Sequence, residues 1–114
     1  MQMPKPTEDD KERFRSLVPD DARVEVRPMF GNLGAFVNGN MFMGLFGADV
    51  GVKLAPDDAD ELRTRHGGGP FGPAERPMGG YVSLPASVIG TADGSRWAAK
   101  ALEHVAAAPP KRKL

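Results

Sequence analysis

The sequence predicts an α+β fold in which an antiparallel β-meander sheet packs against an N-terminal and a C-terminal helix. The most apolar stretch, residues 28–52, consists of short apolar runs separated by glycine-containing turns, which is typical of consecutive hairpin strands. Helical periodicity flanks this stretch at residues 8–18 and 95–107. Because 114 residues is a usual length for one domain, we expect residues 1–114 to form a single domain with flexible tails at 1–7 and 109–114.

The first helix is expected at residues 8–18. Thr7 suits the N-cap position, and the acidic residues after it favour the positive end of the helix dipole. Phe14, Leu17 and Val18 recur at helical spacing and therefore predict one apolar stripe.

A strand should follow the first helix. Val24 and Val26 alternate with charged residues, which predicts a strand with one face in water. Pro28 has no backbone N–H, so it suits the end of this strand or the edge of a sheet.

A β-hairpin and a further strand are predicted next. Asn38-Gly39 separates the apolar runs 33–37 and 41–46, and this dipeptide is the strongest short signal of a two-residue hairpin turn. Val50, Val52 and Leu54 then alternate along another strand. Residues 28–52 are therefore expected to form a meander of three or four strands.

The expected hairpin register makes both faces of the sheet apolar. It places Phe36 opposite Met41 and Ala35 opposite Phe42. The two expected faces are Phe36, Met41, Met43 and Leu45 on one side and Leu33, Val37, Phe42 and Phe46 on the other. A sheet that is apolar on both sides must be covered twice, so we expect helices on one face and a partner subunit or a folded-back loop on the other.

A short helix and a long loop follow the meander. Pro56 suits the first turn of a helix at residues 57–65, which should bury Ala59 and Leu62. Residues 67–80 contain nine glycines and prolines in 14 positions. A loop of that length is usually functional or disordered.

The last elements are a strand and an amphipathic helix. Tyr81, Val82 and Leu84 predict the strand. Asp93 or Ser95 is expected to cap the final helix at 95–107, whose apolar face carries Trp97, Ala101, Leu102 and Val105.

No pattern in the chain predicts an enzyme, and we expect neither catalytic residues nor a bound cofactor or metal. There is no cysteine, which excludes thiol nucleophiles and cysteine–metal sites. His66 and the three glycines after it match an oxyanion-hole motif, but the nucleophile elbow that this motif requires is absent. His66 and His104 fall on different predicted elements, so they do not predict a metal site.

The charge balance excludes a strong attraction to nucleic acid or to an anionic membrane. Lys and Arg total 15, and Asp and Glu also total 15. Three bases in residues 111–114 predict at most weak, salt-sensitive phosphate contact. With no export signal and no apolar span, a cytoplasmic protein is expected.

An interaction surface is the function class that the residues favour most. Most of the phenylalanines lie in the meander, where an exposed aromatic platform could receive a partner. Two bases of the strand region and two residues of the 67–80 loop extend this candidate surface. Its residues are Arg27, Phe30, Phe36, Phe42, Phe46, Lys53, Phe71 and Arg76.

Several motifs make the chain similar to the N-terminal domain of the TfoX (Sxy) family over about residues 8–108. The motifs are Arg27-Pro28-Met29-Phe30-Gly31, Gly34-Ala35-Phe36-Val37-Asn38-Gly39, Met41-Phe42, Val50-Gly51-Val52-Lys53-Leu54, Pro70-Phe71-x-Pro73, Tyr81-Val82-x-Leu84-Pro85 and the final helix with Trp97. The resemblance implies a bacterial α+β domain. It also implies a link to competence regulators, which are thought to act with the cyclic-AMP receptor protein at promoters and carry a second, helical domain that we do not expect here.

Three functions therefore remain open. The first is a non-enzymatic regulatory module that forms a homodimer through the meander or its edge and has a protein partner in transcription regulation. The second is weak nucleic-acid binding through Arg76, Arg96, Lys100 and the basic tail. The third is small-ligand binding that uses Lys53, Arg27 and the 67–80 loop as a lid.

Overall fold

The computed structural model describes residues 5–29, 31–73 and 75–110. The elements in chain order are α1 (Glu8–Leu17), β1 (Val24–Met29), β2 (Asn32–Val37), β3 (Asn40–Phe46), β4 (Asp49–Lys53), α2 (Pro56–His66), β5 (Tyr81–Ser83) and α3 (Ala92–Ala106). The strands form one antiparallel sheet in the order β1-β2-β3-β4-β5. The predicted fold class is therefore confirmed, and the meander extends to include the first and last predicted strands.

The core lies between one face of the sheet and the helices. α3 packs across β2, β3 and β4, while α1 lies beside α3 and α2 lies near β5. The predicted apolar faces of the helices are confirmed as buried: Phe14 and Leu17 in α1, Ala59 and Leu62 in α2, and Trp97, Ala101, Leu102 and Val105 in α3. The largest fully buried side chains of the sheet, including Val37, Phe42, Met43, Val50, Val52 and Val82, meet them there.

The ends of the helices follow local sequence chemistry. Thr7 and Asp10 form a reciprocal capping box at the start of α1. α2 ends at Gly67, whose φ of +77° is the left-handed conformation that glycine adopts without strain. The expected cap of α3 is wrong, because the Thr91 side chain accepts the Gly94 N–H and the helix begins at Ala92.

The predicted Asn38-Gly39 hairpin turn is confirmed. Both residues have positive φ values, +54° and +81°, as the two central positions of a type I′ turn require. Phe36 lies opposite Met41, as expected from this turn.

Beyond that pair the predicted register is wrong. A β-bulge next to Phe36 places Ala35 opposite Met43 rather than Phe42. A bulge puts an extra residue into one strand, so the alternation of side chains shifts by one position after it. Met43 and Leu45 therefore face the core, whereas Phe46 lies on the opposite face against Phe71.

The predicted flexible tails fall mostly outside the described residues, which exclude 1–4 and 111–114. Among the described residues of these segments, Thr7 and Pro109 make contacts within the fold. Thr7 belongs to the capping box, and the Pro109 carbonyl accepts a hydrogen bond of 3.0 Å from the Asn40 side chain.

Replacing the N-cap tests how strongly α1 depends on the capping box. Thr7→Ala removes the acceptor for the Asp10 N–H and should lower the free energy of unfolding by about 1 kcal/mol in urea titrations. Thr64→Ala is the matched control, because the Thr64 hydroxyl only donates to the Asp60 carbonyl within α2. Equal losses in the two variants would contradict a specific capping role.

Candidate functional site

The sheet face opposite the core has a row of three glycines at its centre. We call it the strap face, because the segment 69–80 folds over it as a strap. Gly34 in β2 lies opposite Gly44 in β3, and Gly44 lies opposite Gly51 in β4. Neighbouring strands are only about 4.8 Å apart, so this glycine row leaves a continuous shallow floor without side chains. Larger side chains from elsewhere can therefore approach the backbone closely.

The ring of Phe71 occupies this floor. A Cβ built on Gly51 would lie 2.3 Å from Phe71 Cγ, and one built on Gly44 would lie 3.3 Å from Phe71 Cζ. The ring thus runs from β4 towards β3 and is 3% exposed. Side-chain tips of Met29, Phe36 and Met41 cover the remaining glycine of the row, Gly34.

Phe71 is carried by a segment that folds back over the sheet, which we call the strap (residues 69–80, of which Ala74 is not described). Gly69 and Ser83 exchange backbone hydrogen bonds of 3.2 and 2.8 Å, so the start of the strap pairs with the outer edge of β5. The Met78 N–H donates to the Phe71 carbonyl at 2.8 Å and closes the strap on itself. The sequence left a folded-back loop and a partner subunit open as covers for this face, and the loop supplies part of the cover.

Tyr81 fastens the sheet beside the strap. Its hydroxyl donates to the Met41 carbonyl at 2.8 Å, and its ring lies 6.0 Å from that of Phe71. Burial raises the pKa of Tyr81 to about 12. The phenol therefore remains a hydrogen-bond donor at any physiological pH.

An apolar cavity of about 190 Å³ lies between the strap and the sheet. Phe71, Pro73 and Met78 line it from the strap, and β1, β2 and β3 complete it with Met29, Asn32, Leu33, Met41, Gly44, Leu45 and Phe46. The polar side chain in this lining is Asn32, whose Oδ1 accepts the Gly47 N–H at 2.9 Å. The lining offers apolar contact, and none of its side chains can exchange a proton near neutral pH.

Two of the predicted cations lie at the margins of the strap face. The Arg27 guanidinium lies 4.0 Å from the centre of the Phe36 ring, a cation–π distance, and 3.5 Å from a Glu25 carboxylate. On the other margin the Lys53 ammonium lies 5.8 Å from the centre of the Tyr81 ring. The structure thus brings Arg27, Phe36, Phe46, Lys53 and Phe71 to one face.

The other predicted surface residues have different outcomes. Phe42 is fully buried in the core on the helix side, so its place in the candidate surface is wrong, because it shares the helix-covered face of the sheet with Val37. Arg76 lies exposed on the strap. Phe30 lies outside the described residues, as does the basic tail 111–114.

Sequence reasoning missed the glycine row and the methionines of the cavity. Three glycines, one in each of three neighbouring strands, are a detectable signal, but their register depends on the bulge, which the sequence did not indicate. Met29, Met41 and Met78 come from separate segments, so only the folded chain shows that they share one cavity.

The described residues contain no cluster of three or more histidine, cysteine or acidic side chains that could hold a metal. His66 contacts the Trp97 ring edge-on at 5.6 Å and lies 3.8 Å from the Glu61 carboxylate.

None of the helices among the described residues has both the length and the apolar character needed to cross a membrane.

Adding one methyl group to the floor should displace the strap. Gly51→Ala places a Cβ inside the van der Waals radius of the Phe71 ring, so we expect a loss of about 2 kcal/mol in unfolding free energy, measured in urea. Gly79→Ala is the control, because a Cβ there meets nothing within 4 Å. In a Phe71→Ala background the Gly51→Ala cost should shrink. An unchanged cost would show that the ring is not the obstacle.

The ionisation of Tyr81 reports directly on the closed strap face, because it is the only tyrosine in the chain. Ultraviolet absorbance should show the folded protein titrating near 12 and the denatured chain near the ordinary pKa of 10.0. Between these values the folded state binds the extra proton, so the unfolding free energy should fall as pH rises through this range. Tyr81→Phe should remove that contribution. A folded midpoint near 10, with circular dichroism still native, would contradict this burial.

Comparison with known proteins gives one family. A model of the TfoX N-terminal domain matches residues 12–105, which is most of the chain. The match covers β1 to β5, the strap and most of α1 and α3. A search of curated proteins finds no match.

Proposed function

Because the chain belongs to the TfoX N-terminal domain family, we propose that it is a non-enzymatic regulatory module that docks its partner on the strap face. The observation that carries this proposal is an apolar sheet face covered by a single strap, with a cavity left open beneath it. Membership of the family favours a regulatory or competence-related role, and the family is not a known enzyme family. We place the module in the cytoplasm, with a partner that acts in transcription regulation.

The first partner we propose is a second copy of the chain. Apolar surface that remains accessible on a small domain favours association, and Met78 on the strap is 37% exposed. The margins of the strap face present Arg27 stacked on Phe36, and both arginine and aromatic residues are enriched at protein interfaces. A homodimer would cover these side chains without any change in the core.

The edge of β1 is a poorer site for dimerisation than the strap face. An exposed sheet edge pairs with another chain through outward N–H and C=O groups. The Val24 N–H already donates to the Asp21 carbonyl at 3.0 Å, so it points away from β2. Because the N–H groups of a strand point alternately to its two sides, those at positions 26 and 28 are also expected to point away from β2. Pro28, however, has no N–H. Only Val26 is left as an outward donor of β1.

Two lysine substitutions distinguish the strap face from the edge. Size-exclusion chromatography with light scattering should show a dimer for the native chain. Met78→Lys should weaken dimerisation at least about tenfold, because an unpaired ammonium would be buried in the contact. Val26→Lys is the matched control, since Val26 is similarly exposed, at 39%, but lies on the edge strand β1. Loss of the dimer only in Val26→Lys would move the contact to the edge, and a native monomer at high concentration would overturn the homodimer.

Nucleic-acid binding is less favoured by the arrangement of charges. Two of the bases considered for it are already paired, Arg96 with Asp93 and Lys100 with Asp58 at 3.6 Å. Arg27 is also paired, with Glu25. Bases held next to carboxylates neutralise fewer phosphates. A gel shift at low salt that retards nucleic acid, and is lost on Arg76→Ala, would favour this alternative instead.

A further inference from the structure

We propose that the cavity between the strap and the sheet is a binding site for one small, uncharged aromatic molecule. This proposal goes beyond the docking of a protein partner, because it assigns a ligand to the space beneath the strap rather than to the surface above it. Its three supports are the size of the cavity, the chemistry of its lining and the construction of its floor.

The size of the cavity suits a single ring system. Its volume is about 190 Å³. An apolar protein cavity of about 150 Å³ stays dry and binds benzene. The cavity under the strap therefore accommodates one six-membered ring or a compact bicyclic ring such as indole, and it is too small for a nucleotide or a long acyl chain.

The lining selects against charge. Asn32 is the polar side chain in the lining, and its Oδ1 is already used by the Gly47 N–H. Arg27 and Lys53 lie at the margins and are not lining residues. An ionised ligand would lose its hydration without gaining a partner of opposite charge, which costs several kcal/mol.

The lining also favours an aromatic ring over an aliphatic one. Met29, Met41 and Met78 bring three flexible thioethers to the cavity, and methionine sulfur makes favourable contacts with ring edges. Phe46 and Phe71 already stand edge to face, with their centres 6.3 Å apart. A ligand ring packed beside this pair would extend the same geometry.

The floor and the mouth of the cavity show where it can be altered. Gly44 forms part of the floor, and a Cβ there would lie 3.3 Å from both Met41 Cε and Phe71 Cζ. Met78 is partly exposed and belongs to the strap, so it lies where a ligand would enter. A methyl group on the floor would take space from the ligand, and a polar group at the mouth would reduce the apolar contact.

Methionine methyl spectra of the full chain test the proposal with indole as the probe. Saturable shifts should be confined to Met29, Met41 and Met78, while Met43, buried in the core on the other side of the sheet, should not move. Benzoate, a charged ring of similar size, should bind at least about tenfold more weakly than indole. No saturable shift up to the solubility limit of indole, or equal shifts at Met43, would overturn the site. Equal affinity for benzoate would overturn its selectivity against charge.

Two variants connect binding to the cavity. Gly44→Ala should weaken indole binding about tenfold, and Met78→Gln about fivefold. Val26→Thr is the matched control and should leave indole affinity unchanged, since Val26 is not among the lining residues. Circular dichroism and urea unfolding verify that each variant is folded. Unchanged affinity in both cavity variants would overturn the proposal. A native dimer that does not bind indole would refute the ligand site and leave the docking role standing. A native monomer that binds indole would refute the homodimer and leave the ligand site standing.

Discussion

The contact between the Phe71 ring and the backbone of Gly51 is the constraint on which the strap face depends. The ring comes so close to the strand that no other amino acid could occupy this position unless the ring moved. By lying flat across two glycines, Phe71 removes its own apolar surface and that of the sheet from water at once. The strap is then held at a fixed distance from the sheet. The space between strap and sheet that the Phe71 ring does not fill is the cavity.

The β-bulge between β2 and β3 decides which side chains share that space. Without it, Phe46 would lie in the core beside Phe42, and Met43 would lie on the strap face. With it, Phe42 and Met43 both enter the core, and Phe46 reaches the Phe71 ring. A single extra residue thus moves Met43 from the strap face to the core and supplies the Phe46 ring to the cavity.

The sequence was a good guide wherever local chemistry determines the structure. The capping residue of α1, the Asn38-Gly39 turn and the apolar stripe of α3 each follow from neighbouring residues, and each is confirmed. It was a poor guide where the outcome depends on two distant segments. The register after Phe36 depends on how β3 packs under α3, and the fit of Phe71 depends on a loop that returns from 20 residues further along the chain. Of the candidate surface, the structure places Arg27, Phe36 and Phe46 on the strap face and buries Phe42 in the core.

The two edges of the sheet support the proposal that the strap face is the binding surface. At one edge, the backbone of Gly69 pairs with β5 and uses its outward groups. At the other edge, Asp21 satisfies Val24, and Pro28 removes a donor. Covered or interrupted edges protect a small sheet against uncontrolled strand addition. Because the helices cover the core face, we propose that specific binding by this sheet occurs on the face that the strap covers, where the Phe71 ring lies against Gly51.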